Sequence, residues 1–320
     1  MRLISQIFVG MCVLFSSTLS AHGLSCLYGN EIYAGAVGLY RSRTHHAAIF
    51  RDLATQNTTF DAHAYDFDIS PGYEVRAKKK FGHFFIDGRF VKVKEWTDDI
   101  DNFEVGNQVS FRSNEFFGPE RINTVSSYGS KFWNWEVNIG TQLKKAPIAF
   151  NLGYRQGSIK DLLELSFDLE SFNVNIDYSL ETRNTLQGPQ LGIFLVHAPL
   201  FWRLYLEGFL KGWFYSNRAH SSIRYVTSPP SNIDTFASGR KNVQGVGING
   251  MLGLRVYLYK SLFISVSYEA LLLNKVAQAA DQIAATPSTT FGVGTFRTTT
   301  DISNKDILYH GVLGGIGISW

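Results

Sequence analysis

The stretch NVQGVGINGMLGLRVYLYKSLFISVSYE, running from Asn242 to Glu269, decides the fold. Up to Tyr259 it alternates with period two. Val246, Ile248, Leu252, Leu254, Val256 and Leu258 share one face, and Gly245, Gly247, Asn249, Gly253, Arg255 and Tyr257 share the other. Successive side chains of a strand point to opposite faces, so this is a strand that is apolar on one side and polar or small on the other. After a tight turn at Lys260-Ser261 the pattern resumes, with Leu262, Ile264, Val266 and Tyr268 set against Phe263, Ser265, Ser267 and Glu269. The two runs form a hairpin. Each is long enough to cross a bilayer as a tilted strand, which needs about 9 to 11 residues.

The same signature recurs along the chain. Trp133, Trp135, Val137, Ile139 and Leu143 oppose Phe132, Asn134, Glu136, Asn138, Gly140 and Gln142, and Trp202, Leu204, Leu206, Leu210 and Phe214 oppose Arg203, Tyr205, Glu207, Phe209 and Lys211. Ile148, Phe150, Leu152 and Tyr154 oppose Ala149, Asn151, Gly153 and Arg155, and Phe67, Ile69, Tyr73 and Val75 oppose Asp66, Asp68, Glu74 and Arg76. From Phe84 to Trp96 the parity switches near Phe90-Val91, which predicts a bulge there.

Connections are sorted by length. Short turns near residues 79–82, 144–147, 197–200 and 260 alternate with long polar stretches near 42–59, 97–124, 216–240 and 274–305. Short turns on one rim and long loops on the other mark a closed antiparallel transmembrane β-barrel of the outer-membrane kind. A soluble β-sandwich has no reason to sort its loops this way. The count from Glu31 is ten strands, with twelve as the alternative if 162–168 and 172–180 form an extra hairpin.

Composition agrees. The 320 residues carry 46 aromatic side chains and 29 glycines, but only 18% charged residues, and the formal net charge of +3 excludes a strongly basic nucleic-acid binder. Interleaved polarity of this kind follows when every second residue faces lipid and the rest line a polar lumen, with aromatic residues free to gather at both membrane interfaces. Predicted lumen charges are Arg76, Arg89, Arg155, Arg203, Lys211 and Arg255 against Glu74, Asp87, Glu136, Glu207 and Glu269. Opposite charges in so narrow a barrel pair and close it rather than leave a pore.

The N-terminus reads as a secretory signal peptide over 1–21, with Arg2 ahead of an apolar run from Leu3 to Leu19 and small residues at Ser20-Ala21. A short segment, 22–30, leads into a barrel over 31–320. Cys12 falls inside the signal, so the exported chain keeps only Cys26, a candidate for lipid attachment but not for an internal disulfide. No later apolar run reaches the roughly 18 residues of a transmembrane helix. At the other end Val312, Gly314, Ile316, Ile318 and the terminal Trp320 alternate with Leu313, Gly315, Gly317 and Ser319. That pattern is like the closing-strand signal read by the outer-membrane barrel assembly machinery, which makes this machinery and outer-membrane lipid the expected partners, and the cell outer membrane the expected location.

Several segments carry a family resemblance. They are Leu152-Gly153-Tyr154-Arg155; Thr182-Arg183-Asn184 with Gly188-Pro189-Gln190-Leu191-Gly192; and Trp202-Arg203-Leu204 with Gly208. Further on come Leu252-Gly253-Leu254, Tyr268-Glu269-Ala270, Leu271-Leu272-Leu273, Val276-Ala277, Asp281-Gln282-Ile283 and the glycine-rich closing strand. Over 152–320 the chain resembles the planctomycete-type outer-membrane β-barrel family. The resemblance implies an outer-membrane barrel of unassigned activity and carries over no catalytic, cofactor-binding or metal-binding residue. The first half departs from the pattern: the basic Lys78-Lys79-Lys80 stands where an aliphatic-aromatic strand is usual.

Three polar motifs remain. His220-Ser221-Ser222 falls in an expected loop and lacks the third group that a hydrolase needs to orient its base. Asp98-Asp99-Ile100-Asp101-Asn102 gathers carboxylates, but has neither the glycine nor the closing glutamate of a calcium loop. Neighbours such as His45-His46 point to opposite faces of a strand. The sequence therefore predicts a non-enzymatic barrel with no cofactor and no metal, acting as a structural or surface-interaction scaffold. The alternative is a small porin-like channel for ions or small solutes, and the third reading is a lipid-acting hydrolase.

Overall fold

The computed structural model describes residues 29–42, 48–52, 58–105, 108–111, 114–117, 122–144, 146–169, 174–227, 234–285, 297–299 and 302–320. The expected signal peptide, Cys26 and the His45-His46 pair lie outside them. Ten antiparallel strands close into a barrel. They are β1 (Glu31–Arg41), β2 (Ser70–Phe81), β3 (Phe84–Val105), β4 (Ile122–Gln142) and β5 (Ile148–Leu169), then β6 (Val174–Phe201), β7 (Leu204–Thr227), β8 (Asp234–Tyr257), β9 (Leu262–Val276) and β10 (Lys305–Ser319). Each pairs with its sequence neighbour. β1 closes the ring by pairing with β10, from Glu31 opposite Ser319 to Arg41 opposite Tyr309. Backbone bonds of 2.9 and 3.1 Å between Asn30 and Trp320 seal the seam.

Among the described residues, 162–180 adds no extra hairpin to the barrel. Residues 162–168 and 174–180 are the upper halves of β5 and β6, paired from Val174 opposite Leu169 onward. Likewise most of 216–240, expected to be a loop, is the continuation of β7 and β8, because residues 217–226 keep a strand ladder with 234–243. Polar residues on both faces look like a loop in sequence, yet a wall standing above the bilayer has water outside and tolerates polarity there.

Strand lengths are uneven around the ring. β3 to β8 run 21 to 28 residues, whereas β9, β10, β1 and β2 run 11 to 15. Four short strands at the loop end, over 48–52, 58–61, 108–111 and 114–117, form a separate small sheet.

The bulge in β3 falls at Lys94-Glu95, where the register to β4 slips between Val93 and Trp96, a few residues beyond its expected place. At the end of β6 the register to β7 slips between Leu195 and Ala198 and again between Pro199 and Phe201, so 197–200 is an irregularity within the strand. The turn itself is Trp202-Arg203, with His197 and Trp202 at φ 49° and 45°. The β2–β3 turn uses Gly82 at φ +63°, a conformation that costs glycine nothing. Lys78, Lys79 and Lys80 sit within a regular β2, so the basic stretch does not disturb the register.

The outer face carries the apolar residues. Ile32, Ile139, Leu152, Leu191, Ile248, Val266, Val312 and Ile316 are exposed, Leu152 to 65%. Phe81, Phe84, Phe201, Trp202, Tyr259 and Trp320, all exposed, cluster at the turn end. An apolar band flanked by aromatic residues is a surface built for lipid. Inward glycines make room for lumen rings: a Cβ on Gly140 would lie 2.1 Å from the Phe85 ring, and one on Gly317 2.2 Å from that of Phe263.

Candidate functional site

The alternation that puts Leu and Ile outside puts the charged residues inside, and the lumen is the place where they meet. Glu74 of β2 accepts from Arg76, with Nε at 2.5 Å, and from Arg89 of β3. Across the barrel, Arg89 binds Glu269 of β9, its Nη1 2.8 Å from Oε1. Asn249 of β8 donates to the same oxygen at 2.8 Å and accepts from Arg155 of β5 at 3.0 Å. Glu136 of β4 takes the Lys211 ammonium from β7 and the Gln190 amide from β6, the latter at 2.9 Å. Gln190 also reaches Asn138 at 2.6 Å, which in turn holds Asp87 at 2.8 Å. Nearer the turns, Arg255 joins Glu31 of β1 to Glu207 of β7, the latter at 2.7 Å.

Most of these contacts run between strands that are not neighbours, so they cross the lumen rather than follow its wall. Aromatic rings cover the cations: Arg155 lies 4.8 Å from the centroid of Trp213, and Arg89 5.5 Å from that of Phe209. Guanidinium planes stacked on rings and bound to carboxylates keep a buried charge solvated by the protein itself.

Of the expected lumen charges, the structure brings together Glu74, Arg76, Asp87, Arg89, Glu136, Arg155, Glu207, Lys211, Arg255 and Glu269. Arg203 is the exception. It stands exposed at the turn, stacked 5.0 Å from the Trp202 centroid and donating to the Leu258 carbonyl. A residue in a two-residue turn lies beyond the strand whose alternation assigned it inward. Glu31 and Lys78 were missed. With them the layer holds six cations and six anions: Arg76, Lys78, Arg89, Arg155, Lys211 and Arg255 against Glu31, Glu74, Asp87, Glu136, Glu207 and Glu269. Parity on β1 and β2 was the signal that could have found both.

A cavity of about 110 Å³ remains on the turn side of this network, with Lys78, Phe85, Asp87, Phe194 and His197 in its lining. Above the network the filling turns apolar. Val91, Trp96, Phe132, Trp213, Leu271 and Tyr309 are packed into one cluster that continues to Leu163, Leu165, Phe167, Ile176, Tyr178 and Ile223 near the loop end. One further ion pair sits within it. Arg41 is 2.7 Å from Asp161, which also accepts from Tyr128 at 3.0 Å and Ser130 at 2.7 Å.

Two segments fold into the mouth. At the end of β9, with Lys275 at φ 53°, the chain turns, and residues 276–283 run inward and are buried. Asn184 of β6 fixes them by accepting from the Ala277 N–H at 2.9 Å and donating to its carbonyl at 2.7 Å. After β1, the turn Ala62–Ala64 is followed by Tyr65 and Phe67, which pack on Tyr128, and Arg41 lies over Phe67.

The remaining motifs lie elsewhere. His220 and Ser221 are consecutive residues of β7 and not a loop. Ser221 points inward and is buried, while His220 and Ser222 share the outer face, with the His220 Nδ1 3.1 Å from the Gly239 carbonyl oxygen. Asp98 and Asp99 belong to β3, where alternation separates them, and Asp98 accepts the backbone N–H of Asp66 at 2.7 Å.

No family model and no curated protein matches this chain. Among solved structures, the outer membrane protease OmpT from Escherichia coli covers 94% of this chain and 100% of its own, with a TM-score of 0.50 and 12% identity. The translocator domain of the autotransporter NalP from Neisseria meningitidis covers 100% and 96%, with a TM-score of 0.36 and 10% identity. Neisserial surface protein A covers 91% and 97%, at 0.24 and 8%. The likeness to OmpT concerns the fold alone: the chain is a closed ten-stranded barrel of the outer-membrane type.

Proposed function

We propose that this protein is a closed scaffold in the cell outer membrane, carrying its tall strands and loops on the outside and conducting no solute. The observation that supports this is the filling of the lumen along its length: a neutral ion-pair network, then an aromatic layer, then two inward-folded segments at the mouth. A path for ions would have to part contacts that join opposite walls, such as Lys211 with Glu136 and Arg89 with Glu269. Separating buried partners of this kind costs about 3–5 kcal/mol each.

Purified protein in planar bilayers is expected to leave the membrane silent. Reproducible stepwise conductance sinks the closed reading and favours the channel, whose support is the cavity on the turn side. OmpT's protease activity raises the question of an enzyme. Here a hydrolase built on His220 and Ser222, two apart on the outer face of β7, is disfavoured, because the His220 Nδ1 meets the Gly239 carbonyl oxygen at 3.1 Å rather than a carboxylate that would orient it as a base. His220→Ala is expected to leave phospholipid turnover by membranes containing the protein unchanged.

A further inference from the structure

One group of side chains on the outer face plays no part in the closed lumen. Arg183 of β6 stands directly opposite His220 of β7, which stands directly opposite Arg240 of β8. Arg218 lies two residues from His220 on the same face of β7. Cβ atoms opposite one another in a sheet are about 5 Å apart, so three guanidiniums and an imidazole are crowded into one patch. Three other cations of this wall have carboxylates: Lys131 is 3.0 Å from Glu95, Lys160 3.0 Å from Glu181, and Arg224 2.9 Å from Asp234. Among the described residues Arg183, Arg218 and Arg240, all exposed, have none.

We propose that Arg183, Arg218, His220 and Arg240 bind the phosphate groups of an anionic lipid in the outer leaflet. Like charges this close repel, and a phosphate relieves the repulsion by accepting paired N–H donors from planar guanidiniums. The position argues for a lipid over a dissolved ion. All four residues share the parity of Leu191, Phe214 and Val246, which face the bilayer. Arg218 lies four residues beyond Phe214, or about 10 Å along the membrane normal for a strand tilted by roughly 40°. The polar layer on each side of the hydrocarbon is roughly 5–8 Å thick, and arginine stems bend to reach it.

This inference needs only the orientation assumed above, with the loop end outside, and holds whether or not the lumen conducts. The test is lipid capture by the full chain in phosphatidylcholine nanodiscs, titrated with diphosphorylated lipid A and read by native mass spectrometry. Wild-type protein is expected to retain lipid A at least ten-fold more tightly than the triple variant Arg183→Gln/Arg218→Gln/Arg240→Gln. The control Lys92→Gln/Lys94→Gln is expected to match wild type. Arg→Lys at the three arginine positions keeps the charge and loses the paired donors, so it is expected to fall between. Equal retention by wild type and the triple variant overturns the proposal, as does an equal loss in the control, which would mean diffuse attraction. Displacement of lipid A by millimolar inorganic phosphate overturns the lipid assignment in favour of a soluble anion. Heat-dependent gel mobility confirms that each variant is folded.

Discussion

Glu136 receives a lysine from β7 and an amide from β6 while buried on β4, and this sharing makes the lumen sensitive to single changes. Lys211→Met is expected to leave an uncompensated buried carboxylate and to destabilise the barrel by about 3–5 kcal/mol in urea unfolding from lipid vesicles. The double variant Lys211→Met/Glu136→Leu removes both charges and is expected to recover most of that loss; a double as unstable as the single would contradict the pairing. A second test lies above the membrane, where Arg224 donates to Asp234 at 3.2 and 2.9 Å. These hydrogen bonds hold the Asp234 carboxyl below its ordinary value. The pair's contribution is therefore present above that ordinary value of about 3.9 and lost on acidification through the lower, folded one. Hydrogen exchange at the β7–β8 hairpin end is expected to be faster in Arg224→Gln than in wild type at pH 7, and the difference to vanish in acid. At this scale the sequence was informative wherever a residue sat inside a strand, since parity alone placed Arg76, Arg89, Arg155 and Lys211 inward. It misplaced Arg203, which lies in a turn, and it could not say which cation meets which anion, because partners across the lumen come from strands far apart in the chain.

Elements were legible in proportion to how far they are immersed. The membrane-crossing halves of β4, β5, β8 and β9 alternate cleanly because lipid on one side and a polar lumen on the other demand it. The upper halves of β5 to β8 have water outside, so the outer parity carries Glu164, Asp177, Arg183 and Arg224, and the alternation blurs into what reads as a loop. The inward segment 276–283 was invisible for another reason. Its order comes from Asn184 and Asn217 on other strands and not from a period of its own. Asn184→Ala is expected to raise amide exchange across 276–283 by an order of magnitude or more while the barrel keeps its heat-resistant gel mobility. Unchanged exchange would show that apolar burial alone holds the segment. The closing strand gives a further test. Trp320 is bonded through its backbone to Asn30, but its ring is exposed toward lipid. Trp320→Ala is thus expected to impair membrane assembly while leaving export intact, measured as protein accumulating unfolded in the periplasm.

For the whole molecule, an outward apolar band and a lumen of balanced charge account together for a chain that is neither soluble-like nor helical-membrane-like in composition. Folded protein is expected to migrate differently on a detergent gel before and after boiling, and to fractionate with membranes. Recovery as a soluble species would defeat the membrane reading. The strand lengths also show a division of labour. The low arc of β9, β10, β1 and β2 supplies both segments that fold into the mouth, while the tall arc of β3 to β8 supplies the wall against which they pack. One consequence concerns neighbours in the plane of the membrane. A barrel with an even rim looks the same from every compass bearing, but this one has a parapet on one side and a step on the other. Rotation about its axis therefore changes what an adjacent protein meets. The molecule has a heading as well as an inside and an outside.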